Sequence, residues 1–188
     1  MATSDPVDPA AVFISGLAWE RSSRLLAHRA GELMAEDVSA PDRPWIAKWS
    51  LHLQVAVMDT FAVEMYLKCI HYLDNGHAPH HHRLHGLFLE LSPARRQNLI
   101  DEYHRCGLGS PPHPQIIAHH PTPLPHGLEG WLIGANIIFE RFRYWYEPAK
   151  PGSSPTARWP DPAVPVAFRR TITTMRPDWL PMTAGFDT

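Results

Sequence analysis

Read at 100° per residue, the stretch 10–40 places Val12, Gly16, Trp19, Ser23, Leu26, Ala30 and Leu33 at alternating steps of four and three, a single stripe down one side of a helix. Gly16, Ser23 and Ala30 keep the stripe narrow, which suits close approach by another helix in a bundle seam or a dimer seam. A second helix is predicted over 45–78. It opens after Pro44 and runs to the Asp74-Asn75-Gly76 stop. Ile46, Leu53, Val57 and Glu64 share nearly one azimuth on it, with Trp49, Phe61 and Lys68 close beside. Because Val55, Met58, Ala62 and Val63 make the other side apolar too, this helix should be central, with Glu64 aimed at the core. A carboxylate there needs a partner, and Lys68, His82 and Arg143 are the candidates. The segment 127–147 predicts another long helix, with an apolar stripe of Trp131, Ala135, Ile138, Phe142 and Tyr146 beside a polar seam of Asn136, Glu140, Arg143 and Glu147.

The 20 prolines of the 188-residue chain mark where helices stop. They leave uninterrupted windows at 10–40, 45–78, 80–92, 94–110, 126–147 and 166–176, each a candidate helix, and crowd into 111–125 and 148–165, which read as extended loops. No alternating strand pattern, Gly-rich phosphate loop or internal repeat is present, which argues against a doubly wound nucleotide fold. The expectation is an all-α domain over 1–150, in which helices from 10–40, 45–78, 94–105 and 127–147 pack as one bundle with a short connecting helix in 80–91. Residues 151–188 are expected as an irregular, Pro-rich C-terminal tail.

Composition narrows the chemistry. Seventeen basic against 19 acidic residues give a net charge of −2, so there is no global field to hold nucleic acid or an anionic membrane, and any such binding must be local. The apolar run Trp131–Phe139 is too short to cross a bilayer and contains Asn136. The N-terminal MATSDPVDPAAVF lacks a basic n-region and a long apolar h-region, so a cytoplasmic protein is expected. Cys69 and Cys106 have no C-x-x-C spacing and read as free thiols.

Three motifs carry candidate chemistry. Glu64 and Lys68 form an i,i+4 pair that is either a buried structural ion pair or part of a functional cleft. His82 opens the segment HRLHGLFLEL, where it caps or orients a short helix or serves as an acid–base group. Arg143 sits in RYWYE beside stacking aromatics, a combination suited to phosphate or RNA if it is not simply an amphipathic helix end. Histidines 77, 80, 81, 82 and 85 include pairs three and four apart, compatible with metal binding on a helix, and His113, His119, His120 and His126 follow in the Pro-rich loop. With no H-E-x-x-H and no nearby cysteine ligand, neither a metal nor another cofactor is expected, and a His-rich metal-binding protein is an alternative reading.

Taken together, VEMYLKCIHYL, HRLHGLFLEL, SPARRQNLIDEYHR and FERFRYWYE resemble the HEPN superfamily, and more narrowly its bacterial AbiV-like members, over about residues 45–147. Glu64, Leu67 and Lys68 fit the E-x-x-L-K element. His82, Leu84, Leu87 and Phe88 fit H-x-L-x-x-L-F, and Arg143, Tyr144 and Glu147 fit the closing R-Y-x-x-E. The resemblance implies an antiparallel four-helix bundle, frequently a homodimer, in a setting of RNA cleavage, toxin–antitoxin pairs or phage defence, with a cognate antitoxin or defence partner. It assigns Arg143, His82 and Glu147 as catalytic candidates and Glu64, Lys68 and Tyr144 to the cleft. The active branch of the family places a histidine one to two turns after the arginine on the last helix, whereas Arg143 is followed by Tyr144, Trp145, Tyr146, Glu147 and Pro148. Two classes therefore stay open: a metal-independent ribonuclease using Arg143 with His82 from another helix, and a non-catalytic module that binds RNA, a nucleotide or a partner protein.

Overall fold

A computed structural model describes residues 7–37, 46–106, 127–142 and 161–186, with side chains at 7–33, 51–106, 127–136 and 161–186. Its described elements are α1 (Pro9–Asp37), α2 (Ile46–Asn75), α3 (Leu84–Leu89), α4 (Pro93–Arg105), α5 (Gly127–Phe142), α6 (Ala163–Met175) and a 3₁₀ turn (Pro177–Thr183), with no strand among them. Local chemistry sets several of the ends. The Asp8 carboxylate accepts from the Ala10 amide at 2.9 Å at the start of α1, and Pro9 occupies a first-turn position that needs no donor. Gly76, at φ 75°, closes α2 with its amide on the Tyr72 carbonyl at 2.9 Å. Ser92 caps α4 by accepting from the Arg95 amide at 3.2 Å, ahead of Pro93.

α2 is the axis of the molecule: α1, α3, α5 and α6 all pack against it, and α4 lies against α6. Along the α1–α2 seam, Trp19 stacks on Phe61 with centroids 4.9 Å apart and Phe13 packs on Tyr66 at 5.8 Å. The narrow stripe of α1 belongs to this seam. A Cβ on Gly16 would sit 2.4 Å from the Tyr66 ring, and Ser23 and Ala30 are buried. Leu67, Ile70, Leu84, Leu87, Leu99, Leu132, Phe168 and Ile172 form one core with no exposed surface.

Of the stretch expected as an irregular tail, the described residues 161–186 are instead built into that core. Ala163, Val164, Ala167, Phe168 and Ile172 of α6 are fully buried, and Trp179 of the following turn stacks on Phe13 at 5.4 Å. The reason is positional. Pro165 lies in the first turn of α6, where backbone amides have no intrahelical acceptor, so it interrupts nothing. Asp161 completes the start by accepting from the Ala163 amide at 3.0 Å.

Candidate functional site

Glu64, one of the few carboxylates in the core, has 2% of its surface exposed. Its place is dictated by α2, whose Val63, Leu67 and Ile70 are buried around the same level. One oxygen, Oε1, takes two donors: Lys68 Nζ at 2.8 Å, one helical turn on, and His82 Nδ1 at 2.7 Å, from the segment leading into α3. A carboxylate beside an ammonium can only accept, so Nδ1 carries the proton in this contact. Lys68 is mostly covered, whereas the His82 side chain is 74% exposed, so the ring edge away from Glu64 faces water. A buried carboxylate that fixes the tautomer of a solvent-facing imidazole is the arrangement used to present the other ring nitrogen for proton transfer or anion binding.

The segment carrying His82 is pinned from several sides. Leu84, Leu87 and Phe88 anchor α3 in the core, and buried His71 of α2 donates Nε2–H to the Leu87 carbonyl at 2.9 Å. The His85 amide donates to Asn136 Oδ1 on α5 at 3.4 Å, and its ring lies 3.7 Å from Glu129. His81 bonds Glu90 at 2.9 Å. Glu64, Lys68 and His82 are thus brought together on a rigid support. Arg143, Tyr144 and Glu147 lie outside the described residues, as do His113, His119, His120 and His126. A shallow recess lined by Asp74, Glu90, Ser92 and Arg95 holds none of the three. Among the described residues, no three His, Cys, Asp or Glu side chains converge to hold a metal ion, and no helix is long and apolar enough to cross a membrane.

A second polar cluster went unread in the sequence. Glu20 of α1 and Arg169 of α6 form a buried pair, with Nε to Oε2 at 3.2 Å and exposures of 1% and 2%. Tyr66 donates its hydroxyl to Glu20 Oε2 at 2.6 Å and Arg24 donates to Oε1 at 2.9 Å. The Phe186 ring lies under the guanidinium groups of Arg21, Arg24 and Arg169 at 5.6, 5.3 and 5.0 Å, and Arg24 also donates to its carbonyl. Nearby Asp59 is buried beside Ser23, and desolvation pushes its carboxyl up to about 7. The protonated acid can donate to Ser23, whose hydroxyl in turn reaches the Val55 carbonyl at 3.4 Å. The available signal was Glu20 itself, placed between Gly16 and Ser23 on the seam-facing side of α1. Burial likewise pushes the Cys69 thiol up to about 12, which leaves it inert as a nucleophile.

Comparison of the chain with protein-family models, curated proteins and solved structures finds no match.

Proposed function

We propose that this is a HEPN-like helical protein that binds RNA or a nucleotide at the surface around Glu64, Lys68 and His82, in a toxin–antitoxin or phage-defence setting with a cognate protein partner. One observation carries the reading: the 2.7 Å bond by which a buried carboxylate orients an exposed imidazole. A structural ion pair has no need of a histidine that stays three-quarters in water, since Lys68 already satisfies the same oxygen.

In the enzymatic form of this function the exposed nitrogen of His82 takes the proton from a ribose 2′-hydroxyl as that oxygen attacks the adjacent phosphorus. The 5′-oxygen leaves with a proton, giving a 2′,3′-cyclic phosphate and a 5′-hydroxyl end. Arg143 is the group proposed to stabilise the charge on the phosphorane, with Tyr144 stacking on a base and Glu147 as the second acid–base group. In the non-catalytic form the same surface holds the phosphate without cleaving it.

The test is incubation with labelled single-stranded RNA and with nucleotides at low salt, where phosphate contacts are strongest. His82→Ala and Arg143→Ala are compared with the unaltered chain. Cleavage lost in both variants establishes the ribonuclease, and binding without cleavage, weakened in both, establishes the module. Absence of both binding and cleavage in the unaltered chain removes RNA and nucleotides from the reading.

A further inference from the structure

His81 stands next to the exposed imidazole of His82 and is bonded at both of its own ring nitrogens. Nδ1 lies 3.2 Å from the Arg83 amide nitrogen, two residues on, and Nε2 lies 2.9 Å from Glu90 Oε1. A backbone amide can only donate, so Nδ1 is the acceptor and the ring proton sits on Nε2, where it is donated to Glu90. In this arrangement the ring is a neutral imidazole with one tautomer fixed from both sides.

Its two partners lie at opposite ends of α3. Arg83 is the residue before the helix and has no side-chain cap, and Glu90 is the residue after it. The link from Glu90 through His81 to Arg83 therefore runs the length of α3 and fastens both ends. At six residues this helix is too short to hold its own shape, and its inner side is fixed by Leu84, Leu87 and Phe88 in the core. The imidazole fixes the outer side. It crosses at the one residue of α3 without a side chain: a Cβ on Gly86 would stand 3.0 Å from His81 Cε1 and 3.6 Å from Nε2.

His82 is the residue spanned by the His81–Arg83 bond. Its side chain is held at Nδ1 alone, by Glu64 at 2.7 Å, and its ring is 74% exposed, so water competes for the same donor. Glu64 wins that competition only if the backbone delivers the ring at the right distance and angle, which a turn clamped on both sides of His82 does without further loss of entropy. We propose that His81 is a positioning residue for His82: with Glu90 it clamps the turn at 81–83, so that His82 meets Glu64 through Nδ1 and leaves Nε2 facing water. Of the two adjacent imidazoles, the first holds and the second presents. What the presented nitrogen does to RNA or a nucleotide rests on the function proposed above, whereas the clamp itself does not.

Nitrogen NMR spectra of the histidine side chains of the full chain at pH 8 read which ring nitrogen carries the proton, and the His82 signal is the one missing from His82→Ala. In the unaltered chain it should show the Nδ1–H form, the less favoured one in free histidine. His81→Ala and, separately, Glu90→Ala should lower the ratio of Nδ1–H to Nε2–H by about threefold or more, the factor that follows from losing one hydrogen bond of ordinary net strength. Glu90→Gln keeps an oxygen for His81 to donate to and should leave the ratio close to that of the unaltered chain. Glu90 is half-exposed and bonds His81 rather than His82, so its variants should keep the circular dichroism of the unaltered chain and reach His82 only through the clamp. An unmoved ratio in both alanine variants, or a fall in Glu90→Gln as large as in Glu90→Ala, would overturn the proposal. Labelled single-stranded RNA separates it from the proposed function. A shifted ratio together with no RNA bound or cleaved by the unaltered chain leaves the clamp standing and removes the function; where RNA is bound, both alanine variants should weaken binding by a similar factor and Glu90→Gln should not.

Discussion

Gly16 lies directly under the ring of Tyr66: an added methyl would come within 2.4 Å of one ring carbon and 2.6 Å of the next. The ring has nowhere to retreat, because it is fully buried and its hydroxyl is held by Glu20 at 2.6 Å. Gly16→Ala should therefore destabilise the protein by about 1–3 kcal/mol despite its better helix propensity. Gly31 on the same helix meets nothing within 4 Å, so Gly31→Ala should stabilise by up to about 1 kcal/mol. Urea melts of the two variants check the contrast, and similar midpoints for both would refute it.

Glu64→Ala leaves Lys68, mostly covered, without its carboxylate and frees His82 from α2. A loss of about 2–3 kcal/mol is expected, toward the low end for a broken buried pair because His82 can turn to water. His82→Ala should cost much less, since Lys68 still neutralises Glu64. Chemical denaturation of the two variants measures the order, and equal losses would show that the imidazole, rather than the ammonium, is the main partner.

Arg169→Met should cost about 3–5 kcal/mol, because it leaves Glu20 buried with only Tyr66 and the part-exposed Arg24. Adding Glu20→Gln should recover part of that loss. The double-mutant cycle reads the coupling directly, and simple additivity of the two changes would contradict a buried ion pair.

Asp59 makes stability depend on pH in a direction opposite to most carboxylates. Its folded value of about 7 lies above the unfolded value near 3.9, so between those limits the native state holds a proton that the unfolded chain has released. The stability tied to this proton is fully present below about pH 4, falls as pH rises, and is gone above about 7. A gap of about three pH units at about 1.4 kcal/mol each amounts to about 4 kcal/mol. Asp59→Asn should flatten this slope and make the variant more stable than the unaltered chain at pH 8. Denaturation across pH 4.5–8 tests it, and parallel curves for the two proteins would place Asp59 in water.

Periodicity alone brought Glu64 into view, because a carboxylate on the azimuth of Leu53 and Val57 has few places to go but inward. Lys68 followed from helical spacing, and His82 from its place at the start of the next short helix. The α1 stripe was equally plain, yet one helix cannot say whether its partner comes from the same chain, and that was settled by Tyr66 of α2. The window 166–176 already offered a helix, but taking Pro165 as its boundary missed the first turn, where a proline is harmless, and left the segment in an expected tail outside the bundle. The pairing of Glu20 with Arg169 left no local trace at all, because the two lie 149 positions apart.

That separation has a consequence for how the protein is made. At about 5–20 residues per second, roughly 5–20 s pass between synthesis of Tyr66 and of Arg169. During that interval α1 and α2 can associate on the emerging chain with Glu20 held by Tyr66 and the part-exposed Arg24, but its buried cation, Arg169, has not yet been made. Closure of the core is therefore a late event set by the arrival of α6, and ribosome-bound chains stalled before residue 163 should remain sensitive to protease long after both of their longest helices have left the exit tunnel.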